Sequence, residues 1–213
     1  DLFGRQVRKS MAEDGIVTDY VFVDKEHPSG VALITIDKDA ENCIVVAGGA
    51  NMYLSPADID TAAEEILKAD VVLMQLESPI ETVAYAARMA AKAGIPVILN
   101  PAPAPAEALS EALLKDLFLI TPNRSEASRI SGIEVTDMES AHRAAKAIHE
   151  MGPKNVIITL GSDGSLVYDG SMFMRVEALK VEAVDTTAAG DTYNGVLASV
   201  IAEGKSLIEN ISQ

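Results

Sequence analysis

The sequence predicts an α/β fold: a mostly parallel β-sheet flanked by helices, with a small β appendage. Three observations carry this. Four compact apolar runs, DVVLMQL (70–76), IPVILN (95–100), LFLITP (117–122) and NVIITL (155–160), alternate with helix-length segments, the pattern of parallel βαβ units. Aromatic residues make up 4% of the 213 residues and tryptophan is absent. The core must therefore be built from Ala, Val, Ile and Leu, which suits buried strands under alanine-rich helices. Finally, YVFVD (20–24), GVALITID (30–37) and NCIVVAG (42–48) are separated by turn residues and read as an antiparallel meander.

The remaining elements follow in chain order. DLFGRQVRKSMAEDG opens the chain as a helix. Ser78, Pro79 and Glu81 supply a cap, a prefixed first turn and a reciprocal carboxylate for the helix after the first apolar run. Thr136 with Glu139 repeats the capping-box spacing, and Gly94 and Gly132 are helix stops. The alternating prolines of NPAPAPAEAL (100–109) stiffen a strand exit. GSDGSLVYDGSMFMRVEAL (161–179) adds antiparallel strands at the sheet margin, and YNGVLASVIAEG (193–204) reads as a buried helix. The chain thus divides into an α/β core, 1–17 with 49–213, and a β segment at 18–48. It has no initiator Met and starts inside a helix pattern, so it reads as an internal portion of a longer protein.

Composition excludes several classes. With 17 basic and 32 acidic residues the formal charge is −15, a field that repels nucleic acids and anionic membranes. Cys43 is the only cysteine, so no intrachain disulfide forms and a cytoplasmic address is expected. No apolar run approaches the roughly 18 residues of a membrane span. His27, His142 and His149 lack a matching ligand set, and neither a GxxxxGK[ST] loop nor a GxSxG elbow occurs.

The chemistry-bearing residues sit where strand-like runs give way to helices. In VDTTAAGDTYNG (184–195), Ala188, Ala189 and Gly190 put little bulk before the first helix amides, so an anion could approach them. Asp191 beside them reads either as a helix cap or as a general base aimed at a hydroxyl. Asn123 and Glu126 are both an ordinary cap pair and an amide and carboxylate beside a strand end. Gly161 reads as a tight turn, with Thr159 at the strand end before it. Glu77 and Asp185 end strand-like runs, where acidic residues are ordinarily solvated, and Thr187 follows.

VDTTAAGDTYNG closely resembles the DTxxAGD signature of the ribokinase-like carbohydrate kinases. GVALITID, MQLESP with LNPAPA, and TPNRSEA before ITLGSDG match the family in order, so the resemblance covers essentially the whole chain. It implies a ribokinase-like sheet with a β lid that supports a homodimer. It also implies ATP-dependent phosphorylation of the terminal hydroxyl of a pentose, D-ribose foremost, giving ribose 5-phosphate. Another sugar or a nucleoside is the alternative acceptor, and a catalytically silent sugar- or nucleotide-binding protein is the alternative outside catalysis. By the same resemblance Asp191 is the base, Ala188, Ala189 and Gly190 form the anion hole, and Glu77 faces the sugar. Asn123, Thr159, Gly161 and Gly190 meet the nucleotide, Glu126 organises Mg²⁺ directly or through water, and Asp185 and Thr187 belong to a K⁺ site. The family's main sugar-reading segment would precede Asp1, and the last nucleotide and potassium segments would follow Gln213.

Overall fold

The computed structural model describes residues 1–36, 42–181 and 187–205. Helix α1 (Leu2–Glu13) comes first, followed by a two-stranded antiparallel hairpin, β1 (Val31–Ile36) and β2 (Asn42–Ala47). Two short helices, α2 (Pro56–Thr61) and α3 (Ala63–Ile66), lead into the main sheet. That sheet runs β3 (Val72–Met74), α4 (Ile80–Lys92), β4 (Val97–Leu99), α5 (Glu111–Asp116) and β5 (Leu119–Ile120). It continues through α6 (Arg124–Ser131), α7 (Met138–Glu150), β6 (Asn155–Thr159), β7 (Ser165–Tyr168) and β8 (Phe173–Val176), and α8 (Ala189–Ala202) closes the described elements. The strand order is simply β3-β4-β5-β6-β7-β8. The first four strands are parallel, and β7 and β8 add antiparallel at the margin.

Strand alternation sorts the core into two layers. Val97, Leu99, Ile120, Val156, Ile158 and Leu166 pack beneath α4, α5, α6 and α7. Ile98, Leu119, Ile157 and Val167 point the other way and meet Leu197 and Ile201 of α8. Every one of these strand residues is essentially inaccessible, and burying each such side chain contributes about 1.5–3 kcal/mol. Helices α4 and α7 present Ala87, Ala90, Ala141, Ala144 and Ala145 to the sheet, so small side chains let the helix axes approach it closely. The two-face burial expected from the aliphatic composition is what the sheet shows.

Three local expectations need correction. Residues 20–24 form no strand; among the described residues β1 and β2 pair only with each other. Turn chemistry wins there, because Asp24 Oδ1 accepts from the backbone N–H groups of Glu26 and His27 at 2.7 and 2.9 Å. The first turn of α4 is not capped by Ser78: Pro79 occupies the N-cap position without a side-chain bond. Helix α7 is capped one residue later than expected. Asp137 accepts from Ser140 N–H at 2.8 Å and Ser140 Oγ accepts from Asp137 N–H at 3.0 Å, so Asp137 and Ser140 replace Thr136 and Glu139. Gly132 ends α6 with φ +71°, the left-handed conformation that a glycine stop requires.

Candidate active site

Helix α8 begins without a side-chain cap. Its first-turn amides lack the intrahelical partners that helix interiors have, and the cap residue Ala188 has no side-chain acceptor to offer them. Ala188, immediately before it, has φ +60°, the only left-handed conformation of a non-glycine among the described residues. A left-handed alanine costs on the order of 1–2 kcal/mol, so the surrounding backbone holds this turn against a local preference. Apart from its chain neighbours and its own helix backbone, no atom of the described residues lies within 4 Å of where a Cβ would stand on Gly190.

Asp191 is the third residue of α8, not its cap. Its Oδ1 accepts a hydrogen bond from Gln75 Nε2 at 2.9 Å, just beyond the C-terminal end of β3. The capping alternative left open by the sequence is thereby removed: the carboxylate reaches across to the sheet instead of back to its own backbone. It lines a cleft of about 350 Å³ together with Leu73, Met74, Gln75, Asn100 and Asn194. Gln75, Asn100, Thr121 and Asn194 all lie inside recognisable motifs, yet sequence reasoning singled out none of them. For Gln75, Asn100 and Thr121 the usable signal is a polar residue directly after an apolar strand, where open parallel sheets gather ligand groups; Asn194, inside α8, carries no such signal.

A second cluster forms where β5 and β6 end. Asn123 caps α6 by accepting from Glu126 N–H at 2.9 Å. Glu126 returns the contact with both oxygens, which accept from the N–H and Nδ2 of Asn123 at 2.8 Å each. Glu126 is buried, and burial raises its pKa above the ordinary value, against the lowering effect of the two Asn123 bonds. Thr159 bridges Asn123, its N–H donating to Pro122 O at 3.0 Å. Gly161 turns the chain into β7 with φ +62°. The two clusters meet through Thr121, whose hydroxyl donates to Asn194 Oδ1 at 2.6 Å.

The family model for pfkB carbohydrate kinases matches residues 1–212. The chain belongs to the pfkB family of carbohydrate kinases. It is 40% identical to a Haemophilus influenzae ribokinase over 211 residues, 99% of this chain and 68% of that relative. It is 38% identical to a Salmonella typhi deoxyribokinase, covering 93% of this chain and 64% of the relative. Among solved structures it is similar to an Arabidopsis thaliana ribokinase complexed with ribose and ATP, at 31% identity and a TM-score of 0.89, over 99% of this chain and 69% of that one. The chain thus spans about two thirds of the length of these three proteins.

The pfkB kinase fold brings Asp191 and Gly190 to one end of the parallel sheet, with Asn123, Glu126, Thr159 and Gly161 around the adjoining strand ends. Glu77 is exposed and lies outside the Asp191 cleft; Gln75 takes the place at the carboxylate. Thr187 stands in the exposed turn before α8, whereas Asp185 lies outside the described residues. Among the described residues no three His, Cys, Asp or Glu side chains gather as a metal cage, and no helix is long and apolar enough to cross a membrane.

Proposed function

We propose that this chain carries the phosphoryl-transfer centre of an ATP-dependent pentose kinase that converts D-ribose to ribose 5-phosphate. The observation that carries the reading is the Asp191 carboxylate, displaced from any capping role and facing a cleft beside an uncapped helix start. The names of the relatives, ribokinase and deoxyribokinase, narrow the acceptor to a pentose. Asp191 takes the proton of the terminal hydroxyl as its oxygen attacks the γ-phosphorus, and the bond to ADP breaks. The N–H groups at Ala189 and Gly190, following Ala188, face the charge that grows on the transferred phosphoryl group. Asn123, Thr159, Gly161 and Gly190 are assigned to the nucleotide side and Glu77 to the sugar side.

Mg²⁺ would supply charge neutralisation for the ATP phosphates. Both Glu126 oxygens already accept bonds from Asn123, which fits a network that reaches the ion through water, since Mg²⁺ keeps several waters and needs few protein ligands. K⁺ is assigned to the loop holding Asp185 and Thr187, where it would order the anion hole without touching substrate. The hairpin β1–β2 exposes Val31, Leu33 and Val45 together with Ile34 and Val46. Apolar surface on so small a sheet supports its assignment as a lid that dimerises with a second copy. A single cysteine supports a cytoplasmic address.

The test is release of ADP from Mg·ATP by the purified protein with ribose, 2-deoxyribose, fructose and a nucleoside. Ribose turnover well above the others is expected. Turnover of 2-deoxyribose, fructose or a nucleoside with no response to ribose would reassign the acceptor. Ribose binding without ADP release would make the protein a silent binder.

A further inference from the structure

We infer that Asn194 and Thr121 are positioning residues that lock the anion-hole end of α8 to the β5–α6 turn. This rests on the kinase reading above. Three buried polar side chains, Asn100, Thr121 and Asn194, stand behind the start of α8. Asn194 Nδ2 donates to Gly190 O at 2.8 Å. Its amide orientation is then fixed, so Oδ1 must accept, and the Thr121 hydroxyl at 2.6 Å must donate. The Thr121 hydroxyl has one proton, and Leu99 O at 3.5 Å is too distant to compete for it. Asn100 Nδ2 donates to Thr121 O at 3.0 Å, holding that residue from the neighbouring strand.

The consequence follows from peptide geometry. Gly190 C=O and Asp191 N–H belong to one planar trans peptide and point in opposite directions. Both lie within α8, so the helix itself points that carbonyl toward its C-terminal end and the amide toward its N-terminal end, and the Asn194 bond pins this preset turn in place. The pin is itself anchored to Thr121, two residues before Asn123. Thr159 N–H binds Pro122 O between them at 3.0 Å. One chain of bonds thus sets the spacing between the helix amides, assigned to the transferred phosphoryl group, and the Asn123–Glu126 pair, assigned to the nucleotide and its Mg²⁺.

The experiment compares kcat, KM for each substrate and thermal unfolding for the wild type, Thr121→Val, Thr121→Ser and Asn194→Ser. Removing one donor from an anion hole costs about 10²–10³ in kcat. A donor misaimed rather than removed should cost at least about 10-fold. Thr121→Val, which keeps the shape and loses the hydroxyl, is expected to lower kcat by that factor while KM for the sugar stays within about 2-fold. Thr121→Ser is expected to restore the rate. If Thr121→Val does not fold, Asn194→Ser gives the same comparison, because its hydroxyl can still bond Gly190 O four residues back but no longer spans to Thr121. Unchanged kcat in a folded Thr121→Val or Asn194→Ser protein overturns the inference while leaving the kinase reading intact. An equal loss in Thr121→Ser also overturns it. A wild type that transfers no phosphate to any sugar overturns the kinase reading and the inference with it.

Discussion

Replacing Asp191 by Asn separates a base from a structural acid, and the structure fixes what each would cost. The Gln75 bond uses Oδ1 as its acceptor, and an Asn side chain offers an oxygen in that place. The fold therefore loses little beyond the favourable charge near a helix N-terminus, worth about 0.3–1 kcal/mol. Proton acceptance is lost completely, since a neutral amide cannot take the hydroxyl proton. General-base catalysis by a placed side chain contributes about 10²–10⁴-fold, and the lower bound corresponds to about 2.7 kcal/mol of barrier. The expected outcome is a single-turnover rate reduced at least about 100-fold, with sugar and ATP affinities nearly unchanged. Rapid-quench measurement of phosphorylated sugar at saturating Mg·ATP, with thermal unfolding as the folding control, reads this directly. A folded Asp191→Asn protein that turns over near the wild-type rate would refute the assignment of Asp191 as the base.

Three further outcomes are expected. Burial raises the Glu126 pKa, so the folded chain binds that proton more tightly than the unfolded chain. Its contribution to stability is then fully present below the unfolded pKa and is lost as pH rises through the folded value. The stability advantage of wild type over Glu126→Gln in urea titrations should be larger at pH 5 than at pH 7, and a gap that widens toward pH 7 would contradict the burial argument. Ala188→Gly removes the left-handed penalty of about 1–2 kcal/mol but adds unfolded-state entropy of about 0.4–1 kcal/mol. Its melting temperature should hold or rise slightly, and a clear fall would show that the alanine methyl packs usefully in that turn. K⁺ should activate ribose phosphorylation more than Na⁺ at matched ionic strength, and equal rates in the two salts would remove the ion site assigned to Asp185 and Thr187.

The sheet was legible because each parallel strand is a short apolar run and the helices between them carry their own stops, Gly132 among them. Cap positions were less legible. Thr136 and Asp137 can both cap, and only the three-dimensional path selects Asp137. The run 20–24 has the composition of a strand, but a strand needs a partner edge, and Asp24 ends the run in a turn by binding the N–H groups of Glu26 and His27. Asp191 was legible through the motif around it. Gln75 was not, because its partner is 116 residues away and such a bond leaves no local periodicity. Glu77 is assigned to the sugar through the resemblance carried by MQLESP, not through periodicity. Once β3 has ended at Met74, strand alternation no longer predicts which side chain faces the site.

The sequential strand order bears on how the site comes into being. Each parallel strand from β4 to β6 pairs with the strand just before it in the chain, so the sheet can grow by closing one crossover at a time. Loop closure costs entropy that rises slowly with length, and contacts between near neighbours are reached first. The contact between Gln75 and Asp191 belongs to a different scale, since it closes a loop of 116 residues. Its formation needs α8 to dock on the face opposite the crossover helices, after the strands beneath it already have neighbours. A chain with its sheet complete and α8 undocked would have nearly all of its apolar core and none of its base–sheet contact. With Asp191 assigned as the base, local opening of α8 alone would abolish catalysis while leaving the sheet intact.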